Sequence, residues 1–330
     1  MILRGRFLLY NVNMTLNFFL NGIIFISSFL FIWLGAGLII KSVSKFSHLL
    51  RVSAFSLSFF LLGFLTTLPE LTVGLNAIFD KKPEVFVGNL IGGVIVLFSL
   101  VIPLLAFING KIILNHDLEN KNLLIVLLYL LLPLAFVADQ KLELLEGIFL
   151  IVYYLLIFYL LEKRQTLWEK ITNEFTNHQK TFLIDIFKIF LGVIIVIFAS
   201  HFIAEKTIFF ANFFHVSPFF VALIILSIGT NLPELSFAIR SIKEKKEAIA
   251  FGDYLGSASA NIFVLGLLTV VNGEGVYIPD HFYQYAIFIL LSLILFYLFI
   301  KSEKKLTAKE GLILLFIYFI YLILEIRKSF

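Results

Sequence analysis

The sequence predicts an all-α integral membrane protein whose ten transmembrane helices form two inverted five-helix repeats, with helices 2 and 7 discontinuous. Three observations carry that prediction. The 330 residues are 60% hydrophobic and 15% charged, against about 45–50% and about 25% in soluble domains. Ten apolar runs reach or approach the roughly 20 residues that cross about 30 Å of hydrocarbon as a helix. A segment of the first half returns, altered, 164 residues later.

Composition also excludes whole classes. Forty Phe and twelve Tyr are too many for the core of a water-soluble domain of this size, so a soluble enzyme, a disordered chain and a nucleic-acid-binding module are set aside. With no Cys there are no disulfides, thiolate metal sites or thiol redox chemistry. The net charge of +4 is spread over loops and reads as a topology signal.

In chain order the spans fall at about 17–40, 52–79, 84–109, 121–138, 143–161, 182–204, 214–240, 247–272, 282–300 and 309–326. The third has no charge between Glu84 and Lys111. The fifth is the weakest, because Glu143 and Glu146 must sit at the interface. Arg4 and Arg6 ahead of the first span resemble a secretory signal, but the run is too long and lacks a small-x-small cleavage site, so a retained helix is expected. Met14 is an alternative start that would delete both arginines. With the N-terminus outside, the inside loops, among them Lys41, Lys45, Arg51 and Lys243 to Lys246, hold roughly twice as many Lys and Arg as the outside loops. Both termini are therefore expected outside, in the plasma membrane.

Residues 66–97 align with 230–261 without a gap. The identities are Thr66/Thr230, Leu68/Leu232, Pro69/Pro233, Glu70/Glu234, Leu71/Leu235, Ile78/Ile242, Lys81/Lys245, Lys82/Lys246, Gly88/Gly252 and Gly92/Gly256. Apolar bias supplies chance Leu and Ile matches, but not a paired T-x-L-P-E-L with paired glycines at equal distances. Each half holds five spans, an odd number, so the second half enters the membrane upside down. The halves run 1–165 and 182–330, joined by a cytoplasmic connector at 166–181, with the repeated cores at about 52–109 and 214–272. Inverted repeats with a midplane site on broken helices are a recurring plan of secondary transporters.

The chemistry centres on Glu70 and Glu234. Each lies inside an apolar helix that offers no basic partner nearby, where an acid costs several kcal/mol unless it is paired, protonated or bound to a cation. Pro69 and Pro233 open the helix beside them, which points to bare carbonyls on Leu65 and Gly229. Thr66, Thr67, Thr230 and Asn231 add side-chain oxygens. Broken backbone is tolerated in a membrane where it lines an enclosed or wet cavity, and Ca²⁺ takes about six to eight such oxygens. Ser257 and Asn261 share one helical stripe and face the same cavity in this reading. Asp253 is read as either a half-solvated acid or a titrating site. The glycines at 88, 92, 252 and 256 have the small-xxx-small spacing of close helix approach.

These residues resemble the cation/calcium exchanger superfamily, specifically the sodium/calcium exchanger type. Its two alpha-repeats look like G-T-S-L-P-E-L followed by G-N-x-x-G-S-N-x-x-N or D. Here they read Leu65-Thr66-Thr67-Leu68-Pro69-Glu70-Leu71 with Gly88-Asn89-Leu90-Ile91-Gly92-Gly93, and Gly229-Thr230-Asn231-Leu232-Pro233-Glu234-Leu235 with Gly252-Asp253-Tyr254-Leu255-Gly256-Ser257. The resemblance implies that Glu70 and Glu234 bind Ca²⁺ with Thr66 and Thr230, and that Na⁺ sites surround the same acids. The chain departs from the pattern at Gly93, Leu97 and Asn231, where the family carries a Ser, an Asn or Asp, and a Ser.

The expected function is therefore a non-enzymatic antiporter exchanging Ca²⁺ for Na⁺ by alternating access, with no organic cofactor. The departures in the first repeat keep H⁺ open as the counter-ion. From another class, a non-transporting membrane scaffold with a decayed first repeat is the alternative. An intramembrane aspartyl protease built on Asp253 needs a second intramembrane Asp, and the other aspartates look loop-proximal or helix-terminal. The six His show no metal-ligand spacing, and no zinc or nucleophile-elbow motif occurs. Expected partners are membrane lipid and inorganic cations, without nucleic acid; a monomer is compatible with this reading.

Overall fold

Long apolar stretches punctuated by Gly, Pro and short charged turns fold here as a bundle of helices, the structure that satisfies every backbone polar group within one segment. The computed structural model describes residues 18–45 (apart from 29, 32, 36 and 44), 54–79, 81–113, 120–162, 179–213, 224, 227–244, 247–278 and 282–329. The connector at 166–181 falls mostly outside the described residues, as do Arg4, Arg6, Met14 and most of 214–226.

The first half contains α1 (Phe18–Val43), α2 (54–66), α3 (Leu68–Phe79), α4 (Glu84–Asn109), α5 (Asn120–Phe136) and α6 (Leu144–Glu162). The second contains α7 (Gln179–Phe213), α8 (Ser227–Thr230), α9 (Leu232–Lys243), α10 (Glu247–Asn272), α11 (Phe282–Glu303) and α12 (Ala308–Ser329). Among the described residues, four helices are long and apolar enough to cross a membrane by length and composition: Phe18–Val43, Ser58–Phe79, Glu84–Asn109 and Ile249–Asn272. Large apolar side chains such as Leu155, Phe190, Ile287 and Phe316 are exposed on the outer helices. A membrane protein needs such a surface and a soluble one avoids it.

Helix α7 runs past the expected end at residue 204. Lys206, two residues past that expected end, lies in this helix with its ammonium 2.6 Å from Glu205. Pairing lets the helix continue through the charge. Asp185, expected near a loop, is buried on α7 and lies 3.5 Å from Lys45, two residues beyond α1, and 3.8 Å from Lys188.

Four short strands make two antiparallel ribbons. Strand β1 (Lys111–Ile113) pairs with β4 (Lys305–Thr307), and β2 (Lys141–Leu142) pairs with β3 (Val276–Tyr277). Strands β1 and β2 flank α5, so the ribbons lie at opposite ends of that helix. Their registers are related by the 164-residue offset: Lys141 opposite Tyr277 and Leu142 opposite Val276 become Lys305 opposite Ile113 and Leu306 opposite Ile112. Gln140 and Lys304, also 164 apart, both adopt a left-handed φ, 66° and 49°. Glu143 N–H donates to Glu146 at 2.8 Å, and Thr307 N–H donates to Glu310 at 2.8 Å. These matched caps begin α6 and α12 and give the interfacial acids of the fifth span a structural partner. The internal repeat thus extends well beyond the aligned sequence.

At the centre, α4 and α10 are the most enclosed of the four long apolar helices. Helix α10 crosses α2 without intervening side chains: a Cβ at Gly252 or Gly256 would collide with the carbonyl of Phe55 or Phe59, and one at Gly63 would collide with the Gly256 backbone. That close approach brings the polar residues of α2 and α10 together.

Candidate cation site

Two interrupted helices build the site. Thr67, with φ −84° and ψ 0°, separates α2 from α3, and Asn231, with φ −89° and ψ 7°, separates α8 from α9. Both breaks sit two residues before a proline, whose missing N–H leaves the carbonyl four residues earlier without its helical donor. The helices restart with Leu71 N–H on Thr67 O at 3.0 Å and Leu235 N–H on Asn231 O at 3.2 Å. The Leu65 carbonyl, expected to be bare, accepts the Thr67 N–H. The turn therefore engages one of the two lone pairs of that oxygen. Gly229 is buried in α8.

Each restart carries its glutamate into the interior. Glu70 and Glu234 are buried to 1% and 0% exposure and lie within electrostatic reach of each other. Neither oxygen of Glu70 has a hydrogen-bond partner. On Glu234, Ser257 of α10 donates to Oε1 at 2.8 Å, while Oε2 has no partner. Among the described residues no Lys or Arg pairs with either acid.

The repeats cross at this point. Thr66 faces Glu234 of the other half and donates to Asp253 Oδ1 at 3.4 Å. Thr230 faces Glu70 and donates to Asn89 Oδ1 at 3.4 Å. Asn89 and Asp253 are 164 residues apart, and both are buried. Sequence reasoning quoted Asn89 in a motif but gave it no place in the site. Its offset from Asp253 was the available signal. Asp253, one of whose two readings was half-solvated, is fully buried because α10 packs so closely on α2.

The remaining expected residues make less regular contacts. Thr67 Oγ1 donates to Phe64 O at 2.8 Å. Asn231 Nδ2 donates to Ser227 O at 2.7 Å, and its Oδ1 is buried without a partner. Both polar atoms of Asn261 are buried and unpartnered. A Cβ at Gly93 would lie 3.1 Å from Asn261 Nδ2 and 3.2 Å from Asn231 Nδ2, so the two amides occupy the space above this glycine. Leu97 is buried and apolar. Among the described residues no group of three or more His, Cys, Asp or Glu has the arrangement to hold a metal ion. Cation binding here would draw on hydroxyl and amide oxygens as well as carboxylates.

Comparison with known proteins decides the family. The sequence profile of the family described as sodium/calcium exchanger protein matches residues 20–161 and 185–327. The chain belongs to the sodium/calcium exchanger family. Its two matched segments coincide with the two halves. Among curated relatives of this family member, the inner membrane protein YrbG of Escherichia coli is 26% identical over 238 residues, covering 69% of this chain and 73% of its own. Sodium/calcium exchanger MaX1 of Methanosarcina acetivorans is 24% identical over 343 residues, covering 92% of this chain and 97% of its own. Among solved structures, the exchanger NCX_Mj soaked with 10 mM Na⁺ and zero Ca²⁺ superposes with a TM-score of 0.76 at 21% identity, over 92% of this chain and 98% of that one. The same protein soaked with 2.5 mM Na⁺ and 10 mM Sr²⁺ gives 0.75 at 19%. At such identity the likeness is one of fold.

Proposed function

We propose that the protein is a secondary active antiporter, not an enzyme, that exchanges Ca²⁺ for Na⁺ by alternating access. In this reading it spans the membrane ten times as two inverted halves, with helices 2 and 7 broken at the site and both termini outside the cell. Glu70 and Glu234 are the central ligands, assisted by Thr66, Thr67, Thr230, Asn231, Ser257 and Asn261, with the backbone at Leu65 and Gly229 completing the oxygen set. The observation that carries the reading is the pair of buried glutamates, one from each repeat, within electrostatic reach and without a basic partner among the described residues. Two carboxylates in a low dielectric demand compensating positive charge. When Ca²⁺ leaves, monovalent ions must replace it before the protein reorients, and that requirement couples the two fluxes. The relative MaX1, named a sodium/calcium exchanger, supports the choice of ions.

The test is Ca²⁺ uptake into vesicles reconstituted with the purified protein under an imposed Na⁺ gradient. Uptake is expected to disappear in Glu70→Gln and in Glu234→Gln, and unchanged uptake in either ends the proposal. A second reading, Ca²⁺/H⁺ exchange on the same fold, is favoured by Gly93 and Leu97, which leave Glu70 without the oxygen neighbours that Glu234 has. Replacing the Na⁺ gradient by a pH gradient in the same vesicles separates the two.

A further inference from the structure

The pseudo-symmetry of the site is broken at one pair of positions by a whole charge. Thr66 and Thr230 make the same contact, at the same 3.4 Å, to Asp253 and to Asn89. An asparagine has two N–H donors to offer neighbouring oxygens, whereas an ionised aspartate only accepts. The Thr66 hydroxyl that meets Asp253 is itself surrounded by acceptors. Thr66 Oγ1 lies 3.0 Å from Leu62 O, 3.4 Å from Gly63 O and 3.4 Å from Asp253 Oδ1. One hydroxyl hydrogen serves only one of those three oxygens. Glu234 stands within electrostatic reach of Asp253. Asp253 Oδ2 and Glu234 Oε2 are both fully buried and without a partner. The Ser58–Leu62 stretch of α2, just ahead of Thr66, is a π-helical turn, a distortion that frequently marks functional positions.

We propose that Asp253, Thr66 and Glu234 form a separate monovalent-cation subsite, taking Na⁺, that exists only on the Asp253 side of the site. The inference rests on the exchange reading above and adds to it a third carboxylate. The glutamate pair balances one divalent ion, and the acid on α10 leaves one further negative charge in the interior. A small hard monovalent cation matches that single charge and the carboxylate, hydroxyl and carbonyl oxygens around it. The mirror position, Asn89, is a neutral amide whose oxygen accepts from Thr230, so it brings no charge and the subsite has no twin beside Glu70.

The experiment measures the Na⁺ dependence of Ca²⁺ flux in reconstituted vesicles for the wild-type chain and for Asp253→Asn, together with Ca²⁺/Ca²⁺ isotope exchange without Na⁺. In the variant the Hill coefficient for Na⁺ is expected to fall by about one, while isotope exchange remains measurable and shows that the protein is folded. An unchanged Hill coefficient overturns the subsite. So does joint loss of isotope exchange and Na⁺ dependence in a folded variant, which would make Asp253 a ligand of the divalent ion. A change confined to the pH dependence overturns it as well, because the occupant would be a proton. Should Asp253→Asn fail to fold, Asn89→Asp tests the same logic in reverse. A second acid beside Thr230 is expected to raise the Hill coefficient, and no rise overturns the assignment. Absence of Na⁺-driven flux in the wild-type chain would instead defeat the exchange reading.

Discussion

Ser257→Ala isolates the one direct hydrogen bond that distinguishes the two central acids. In the structure Ser257 Oγ donates to Glu234 Oε1 at 2.8 Å, and both residues are fully buried. A hydrogen bond to a charged group contributes about 1.5–3 kcal/mol. Removing the hydroxyl leaves both oxygens of Glu234 without a side-chain donor, the condition Glu70 already occupies. Taking about 2 kcal/mol, the Ca²⁺ concentration for half-maximal uptake should rise roughly 30-fold, at about 1.4 kcal/mol per tenfold. The assay is isotopic Ca²⁺ uptake into vesicles at graded Ca²⁺ and a fixed Na⁺ gradient, with a thermal melt of the purified variant to confirm folding. A shift of less than about threefold, well below what such a bond supplies, would refute the argument that this hydroxyl orients the acid for the ion.

Restoring the missing oxygens with Gly93→Ser and Leu97→Asn together should strengthen the Na⁺ dependence of flux. The side-chain amides of Asn231 and Asn261 must shift by a few tenths of an ångström to admit the serine, and an unaltered Na⁺ response would show that the lost ligands are irrelevant. Gly256→Ala drives a methyl group into the Phe59 carbonyl. Overpacking of this kind costs about 1–3 kcal/mol, which should appear as a lower melting temperature in detergent and a weaker Ca²⁺ half-saturation; a variant as stable as wild type would mean that the helices separate freely. Glu146→Ala and Glu310→Ala each remove an N-terminal cap acceptor. Each should lower stability by about 0.5–2 kcal/mol, and by similar amounts if the repeat symmetry extends to the caps, which paired melts would reveal.

The site was legible in sequence wherever it depended on charge or covalent geometry. Glu70 and Glu234 stood out because a carboxylate in an apolar helix is costly, and Pro69 and Pro233 announced the breaks because proline has no donor. Asn89 did not stand out, since a neutral amide inside a helix carries no such penalty and only its mirror relation to Asp253 reveals it. The depth of Asp253 was ambiguous for a different reason. Its place two turns before Asn261, nearer the cytoplasmic end, left a half-solvated acid and a titrating site both open, whereas the bare backbone crossing at Gly252 and Gly256 draws this part of α10 into the centre. Helix α7 was predicted too short, because hydropathy alone ends a span at a charge that the fold pairs with Glu205. The ribbons were missed entirely: strands of two or three residues leave no periodicity to read.

Those ribbons have a mechanical consequence. Each fastens a stretch of one half to a stretch of the other, and they do so at both ends of α5. The halves are therefore buttoned together at top and bottom without help from the peptide bond between them. A chain severed in the connector should stay whole in detergent, and the two fragments made separately in one cell should find each other.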